Sequence, residues 1–318
     1  MSGIRYRIKI TGLKTPEGTI PLTALRKISD ALLEGSERTL RLSVEGASVK
    51  RGRLPTWLSK SLEFTVAGIS KGSTVLEIDA PTLEESAPEQ VRQQDLWYSM
   101  PNPEDTALTL LSKSVQDAVS EQLESENFDR GVLSALLAFK SPLEKHLDEF
   151  EVVSPNRPKD NFKIGRTELA KIGRLEAETP EPRAVALAGS FDLIEHPHRL
   201  FRLSLEDGRK ITGKAEPEYI NEQMMKDLWG KKVVIKGTAH FNPSGKIRFI
   251  QAQVVRPFEV GEEILQAVQE IQSPLKLVEG FNIRQKGRSS LNEIWGQWPG
   301  EESIDELLSA LKELSAET

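Results

Sequence analysis

The apolar residues of the first 83 positions follow two different periods. They first occupy every second position, as in a half-buried β-strand, at Ile4, Tyr6, Ile8 and Ile10. From Leu22 to Leu32 they recur at helical spacing, and Gly35 follows where a helix C-cap is expected. A second alternating run between Leu62 and Ile78 predicts a β-hairpin. Residues 1–83 are therefore predicted to form a small α+β domain.

The period becomes helical in residues 84–180. One amphipathic face runs from Leu108 to Leu123, and another runs from Val132 to Phe150 with an interruption at Pro142. The polar, proline-bearing stretch from Ser154 to Asn161 is typical of a loop. We predict a helical region here. In the preceding domain, the stretch from Arg38 to Glu45 fits either a strand or a helix.

Residues 181–258 show five strand patterns and one short helix. Apolar alternation leads into Asp207-Gly208, a strong hairpin signal, and a second hairpin is centred on Asn242 to Gly245. Between these hairpins, helical spacing from Pro217 to Leu228 places Tyr219, Ile220, Met224 and Leu228 inward. The order β-β-β-α-β-β predicts an OB-like β-barrel.

The C-terminal part of the chain, from residue 259 onward, divides into a helix and a tail. Residues 259–273 have helical spacing, with Val260 on the apolar face, and end before Pro274. In the tail, residues 274–318, Ser303 and Glu306 form a capping-box pattern at the start of a leucine-striped C-terminal amphipathic helix. The fold class expected for the whole chain is α+β and multi-domain.

Composition limits the function classes. The 318-residue chain carries a formal net charge of −6, so its overall field does not attract nucleic acid. It has no cysteine, which excludes thiol catalysis and Cys-type zinc sites and fits a reducing compartment. No apolar run reaches the ~20 residues of a membrane-spanning helix, and the N-terminal run has no signal-peptide core. We expect a cytoplasmic protein without membrane contact.

No catalytic motif is recognisable. Asp192, Glu195, His196, His198 and His240 include metal-ligand types, but their spacing matches no known metal motif, and the first four lie at or beside a predicted loop. The stretch from Gly68 to Thr74 lies between two strands and lacks the phosphate-loop pattern. We therefore expect a protein that is not an enzyme and holds no metal or cofactor.

A local basic patch is the main sign of nucleic-acid binding. Six cations and an aromatic residue cluster with only Glu45 opposing them, which suits phosphate contact and base stacking. They are Arg38, Arg41, Lys50, Arg51, Arg53, Lys60 and Trp57. An ordinary solvated loop explains the same pattern. Nucleic-acid binding through this patch and the barrel is the alternative function.

The tail has the stronger signal for protein binding. A predicted helix of about three turns does not persist alone in water, so it must dock either on its own chain or on a partner. Trp295 and Trp298 precede this helix, and tryptophan is enriched at binding hot spots. The apolar stripe of the helix consists of Ile304, Leu307, Leu308, Leu311 and Leu314.

The run from Trp295 to Glu302 with its leucine helix resembles the C-terminal ends of bacterial type II antitoxins, more narrowly those paired with PIN-domain ribonuclease toxins. The resemblance covers residues 280–318 and implies that the tail wraps a toxin and that its helix fills an apolar groove. It also implies that Arg284 or Arg288 reaches the toxin's metal-binding carboxylates. The protein would then act as an oligomeric complex. Unlike in typical antitoxins, the long region before the tail has no recognisable DNA-binding pattern.

Overall fold

The structure is a computed structural model that describes residues 3–16, 18–50, 52–70, 74–92, 100–195, 199–262 and Leu265. The chain divides into two units, residues 1–275 and 276–318. The second unit lies outside the described residues. The first unit contains two modules: an α+β module that ends near residue 180, and a β-barrel.

The α+β module is built on a five-stranded antiparallel sheet. Its strands are β1 (Ile4–Thr11), β2 (Thr65–Ser70), β3 (Thr74–Ala80), β4 (Glu149–Val153) and β5 (Phe162–Gly165). Their order in the sheet is β2-β3-β1-β4-β5, so the first strand of the chain lies in the middle. On β1, Tyr6, Ile8 and Ile10 are buried in the core, and the alternate positions form ion pairs on the other face, such as Arg5 with Asp79.

The helices of the α+β module connect the strands of this sheet or follow the last of them. They are α1 (Leu22–Glu45), α2 (Thr56–Ser61), α3 (Leu83–Ser86), α4 (Pro88–Val91), α5 (Ala107–Val119), α6 (Arg130–Leu136), α7 (Lys140–Lys145) and α8 (Arg166–Glu178), with 3₁₀ turns at Leu137–Phe139 and Pro158–Asp160. The side chains of α1, α5, α6 and α8 share one core with the sheet. Buried side chains cap the N-termini of two of these helices. Thr106 accepts a hydrogen bond from the Thr109 N–H at the start of α5, and Asp129 accepts one from the Val132 N–H at the start of α6.

Helix α1 is longer than the sequence predicts. The expected C-cap at Gly35 is wrong, because the helix continues to Glu45 and the ambiguous stretch from Arg38 is helical. A Cβ at Gly35 would lie 3.0 Å from Leu111 Cδ1, so this glycine serves the close approach of α1 and α5. The C-cap is Gly46, whose φ is 81° and whose N–H donates to the Leu42 carbonyl at 2.9 Å.

The predicted boundary between residues 83 and 84 falls inside one packed module. Strand β4 pairs with β1, and β5 pairs with β4, so residues from both sides of the boundary form the same sheet. Phe150, expected on a helix face, lies on β4 and is fully buried. Because this pairing joins segments that are far apart along the chain, periodicity within a short window gives no sign of it.

The barrel confirms the predicted β-β-β-α-β-β order and closes on itself. Its elements are β6 (Arg183–Glu195), β7 (Leu200–Ser204), β8 (Lys210–Ala215), α9 (Glu222–Leu228), β9 (Lys232–Phe241) and β10 (Ile247–Pro257). The strand order around the barrel is β10-β8-β7-β6-β9, with β9 hydrogen-bonded to β10. The pair β8 and β10 is parallel, whereas the other pairs are antiparallel.

Two of the apolar residues assigned inward around α9 point outward instead. Ile220 and Leu228 are buried in the barrel core as expected. Tyr219 and Met224, however, are 58% and 39% exposed. Tyr219 lies in the turn before the helix, and Met224 lies on a face of the two-turn helix other than the one that buries Met225 and Leu228.

The helix predicted for residues 259–273 lies largely outside the described residues. In the described part, Val260 and Gly261 form a turn and Val260 is almost fully exposed. The helix over the remaining residues stays a prediction. None of the helices that the structure describes combines the length and apolar character needed to cross a membrane.

The two modules meet at the C-terminal end of α1. The Phe249 ring lies directly on Gly46, where a Cβ would overlap with Phe249 Cζ. The Arg248 guanidinium donates to the Gly46 carbonyl through Nη2. Ion pairs from Lys246 to Glu124 and from Arg248 to Glu126 surround this contact. We call these residues the module contact.

Replacing Gly46 with alanine tests this packing. The Gly46→Ala variant should lose about 2–4 kcal/mol of unfolding free energy, because it adds a clash with Phe249 to the cost of a left-handed backbone. Gly208→Ala is the matched control: its φ is +84° and nothing lies within 4 Å of its Cβ position. The control should lose only about 1–2 kcal/mol. Equal losses in urea denaturation would contradict the close approach of Phe249.

Candidate functional site

The structure does not describe the tail residues for which protein binding is predicted. Arg284, Arg288, Trp295, Trp298, Ile304, Leu307, Leu308 and Leu311 all lie outside the described residues. Their role stays a prediction from the sequence. The remaining candidates belong to the two described modules.

Two arginines of the basic patch are engaged within α1. Arg41 pairs with Glu37 and Glu45 at 3.3 Å each, and its side chain is only 6% exposed. Arg38 pairs with Glu34 at 3.2 Å. These contacts join positions four residues apart on one helix. Arg41 therefore serves the helix, and its burial leaves it no open face for a phosphate.

The other patch residues differ in exposure. Lys50, Arg53 and Lys60 are exposed, and Arg51 is not among the described residues. Trp57 is half-buried and packs against a small core around Leu58, so it has a structural role in addition to any stacking role. Among the described residues of the predicted patch, the exposed cations are Lys50 and Arg53 on the connection from α1 to α2 and Lys60 within α2.

The barrel phenylalanines are not available for base stacking. Phe191, Phe201 and Phe241 are all at most 2% exposed, and the first two rings pack 5.1 Å apart in the barrel core. The exposed barrel aromatics are instead Tyr219 and Trp229, and Trp229 is 66% exposed.

No metal centre is found among the described residues, where no group of three or more His, Asp or Glu side chains is placed to hold an ion. His240 is buried on β9 and lies 3.3 Å from the Gln251 amide oxygen through Nε2. Asp192 accepts a hydrogen bond from Ser204 at 3.1 Å. His196 and His198 lie outside the described residues.

A cleft of about 820 Å³ lies between the two modules, next to the module contact. This volume lies within the ~300–1,000 Å³ range of small-molecule sites. Residues of both modules line the cleft, and its charged lining residues carry three positive charges and one negative charge. The apolar residues include Leu42, Leu110, Met100 and Phe249, and the charged residues are Lys113, Lys210, Arg248 and Glu126.

The barrel side of the cleft follows from strand alternation. On β8, Ile211 and Gly213 are buried in the barrel, so Lys210 and Thr212 project from the outer face. Thr212 lies opposite Phe249 of β10 in the sheet register. Phe249 is therefore on the outer face too, where it packs with Met100 and Leu200 in a core separate from the barrel interior.

A buried polar cluster lies close in sequence to Glu126 and Asn127, which line the cleft. The Asp129 carboxylate accepts from the Ser48 hydroxyl at 2.6 Å and from the Ser48 and Val132 backbone N–H groups at 3.0 and 2.9 Å. These bonds fix the chain after α1 to the start of α6.

Lys113 is bound to Asp105 at 2.7 Å, so its charge is already compensated. Sequence periodicity gives no sign of this cleft, because its lining comes from separate segments.

Comparison with models of known protein families, with curated proteins and with solved structures finds no match to this chain. The assignment of function therefore depends on the chain's own sequence and geometry.

His240 predicts a pH dependence of stability. Burial lowers its pKa below the usual value, and Arg248 lowers it further, while Asp129 and the Gln251 hydrogen bond oppose that shift. The folded state therefore holds the neutral imidazole. As the pH falls through about 6.5, the unfolded chain binds a proton at this site more readily than the folded state does, so the folded state loses stability.

The unfolding free energy should consequently fall between pH 7.5 and pH 5.5, and His240→Gln should fall less steeply than the wild type. Urea denaturation across this range measures both slopes. His146→Gln removes a half-buried imidazole from the other module and serves as the control. A His240→Gln slope equal to that of the wild type would show that this histidine does not cause the dependence.

Proposed function

We propose that this protein is a non-enzymatic binding protein that neutralises a PIN-type ribonuclease through its C-terminal tail. The observation that carries the proposal is the sequence from Trp295 to Leu314, with two tryptophans before a capped and leucine-striped predicted helix. The helix would fill an apolar groove of the nuclease, and Arg284 or Arg288 would pair with the carboxylates that hold its metal.

Two features of the described modules favour this proposal over nucleic-acid binding. The basic patch is smaller than its sequence suggests, because Arg41 is buried and paired with two glutamates. The barrel phenylalanines that could stack on bases are buried in the barrel core. Both features make nucleic-acid binding the less favoured function. Neither feature concerns the tail itself.

Substitutions on opposite faces of the predicted tail helix test the proposal. Leu308→Asp and Trp298→Ala should abolish capture of a Mg²⁺-dependent ribonuclease from the source cells, because each removes an apolar anchor. Ser309→Asp adds the same charge to the polar face and should bind like the parent. The measurement is affinity capture, followed by an RNA-cleavage assay of the captured protein with and without added full-length chain.

A chain ending at Ser273 provides a further control, because it keeps both described modules. It should neither capture nor inhibit the ribonuclease. Equal capture by Leu308→Asp, Trp298→Ala and the parent would show that the tail is not the binding element. Circular dichroism of each variant would confirm that the modules remain folded.

A second candidate is single-stranded nucleic-acid binding. The closed five-stranded barrel, with its helix between the third and fourth strands, resembles an OB-fold, a fold that often binds single strands. Residues 181–258 contain 13 Lys and Arg against 9 Asp and Glu, a net charge of +4 in a chain whose net charge is −6. Lys50, Arg53 and Lys60 add exposed cations on the other module. The outer face of β8 and β10, however, is partly covered by the α+β module.

Salt dependence distinguishes this candidate. If the protein binds a single-stranded oligonucleotide through the patch, log K against log salt should be steep, and the double variant Lys50→Ala/Arg53→Ala should reduce the slope by about 1.4 for two lost phosphate contacts. Arg26→Ala/Arg174→Ala removes two exposed cations elsewhere and should leave the slope unchanged. Fluorescence anisotropy between 50 and 200 mM salt measures the slopes. Absence of salt-sensitive binding would remove the candidate.

A further inference from the structure

Two apolar side chains on the outside of the barrel are completely buried. Strand alternation points Ala188 of β6 outward, because its neighbour Leu187 belongs to the barrel core. It also points Val234 of β9 outward, because Val233 and Ile235 are core residues. Ala188 and Val234 lie opposite each other in the sheet register, and both are 0% exposed. Another part of the chain must therefore lie over this outer face of β6 and β9.

The α+β module meets the barrel at a different place. Its contact with Phe249 is at the far end of β9, where Phe249 lies opposite His240. Positions 234 and 240 of an extended strand are about 20 Å apart. Helix α9 is not the cover either, because its buried residues Met225 and Leu228 belong to the barrel core.

The chain returns to this outer face when it leaves β10. The Phe258 N–H donates to the Lys232 carbonyl at 3.0 Å, and the Lys232 ammonium lies 4.6 Å from the centre of the Phe258 ring. Arg256 lies opposite Val234 in the sheet register and donates to the Glu262 carboxylate at 2.9 Å. The described chain therefore reaches the neighbourhood of Val234 at Glu262.

The segment that follows Glu262 has the pattern of a helix that needs a surface. Its apolar residues Ile264, Leu265, Val268 and Ile271 recur at helical spacing. The Leu265 N–H donates to the Glu262 carbonyl at 2.9 Å, which begins a turn in the direction of the outer face. A helix of about three turns does not persist alone in water, so its apolar side must be covered.

We infer that residues 263–273 form an amphipathic helix that docks on the outer face of β6 and β9, with its apolar side over Ala188 and Val234. The small side chain of Ala188 allows a helix to approach the strand closely. Residues 274–318 then leave the barrel from a fixed point. The docking uses residues that precede the tail, so it does not depend on the function proposed for the tail.

Thiol accessibility in the full chain tests the inference. The chain has no cysteine, so one introduced thiol reports on one position. The Ala188→Cys thiol should react with a maleimide at least about 10-fold more slowly than the Ala184→Cys thiol, because the helix must first detach. Ala184 is the matched control, since it lies on the same face of β6 and is exposed.

Second substitutions in the Ala188→Cys chain identify the cover. Val268→Asp should restore fast labelling, because it places a charge in the middle of the apolar side. Gln266→Asp, on the polar side, and Leu308→Asp, in the tail, should leave the thiol protected. The inference is overturned if the Ala188→Cys and Ala184→Cys thiols react equally fast, or if Val268→Asp leaves the protection intact. Release by Leu308→Asp would overturn it in favour of the tail, and release by Gln266→Asp would overturn the assigned face.

Discussion

The contact between Gly46 and Phe249 is the constraint on which the arrangement of the two modules depends. Helix α1 ends at a residue with a left-handed backbone, and the Phe249 ring occupies the space that any other side chain would fill there. The carbonyl at this helix end accepts from Arg248. Gly46 therefore ends the longest described helix, contacts the Phe249 ring and accepts a hydrogen bond from Arg248 at its carbonyl.

The ion pairs around this contact contribute less to its stability. The Lys246–Glu124 pair is about half exposed at both ends, and exposed pairs contribute at most about 1 kcal/mol. Phe249 is 2% exposed, and burial of an aromatic side chain contributes about 1.5–3 kcal/mol. Residues 1–180 carry 24 Lys and Arg against 27 Asp and Glu, a net charge of −3, and the barrel carries +4, so a modest attraction favours the approach of the two modules. The Phe249 ring and Arg248 determine where the modules meet.

Local sequence patterns predicted the barrel well and the α+β module only in part. Asp207-Gly208 and alternation along β7 and β8 determine a hairpin within a few residues, so a short window is sufficient. Strand β4 is different, because its partner β1 is the first strand of the chain and lies far outside any such window. The helical spacing that ends at Phe150 therefore led to a helix assignment, although tertiary pairing makes that position a strand. The C-cap prediction at Gly35 is wrong for a similar reason. The glycine allows the close approach of Leu111, which belongs to another helix and lies far away along the chain.

The same distinction applies to the candidate sites. A tail motif is contiguous, so the sequence predicts it although the structure does not describe it. The basic patch is also contiguous, but charge counting along the chain does not reveal that Arg41 is placed between two glutamates on its own helix. The cleft is lined by Lys210, Thr212 and Arg248 from the barrel and by Leu42 and Leu110 from two helices. These segments are far apart along the chain and come together only where the modules pack at Gly46, so no linear motif predicts the cleft.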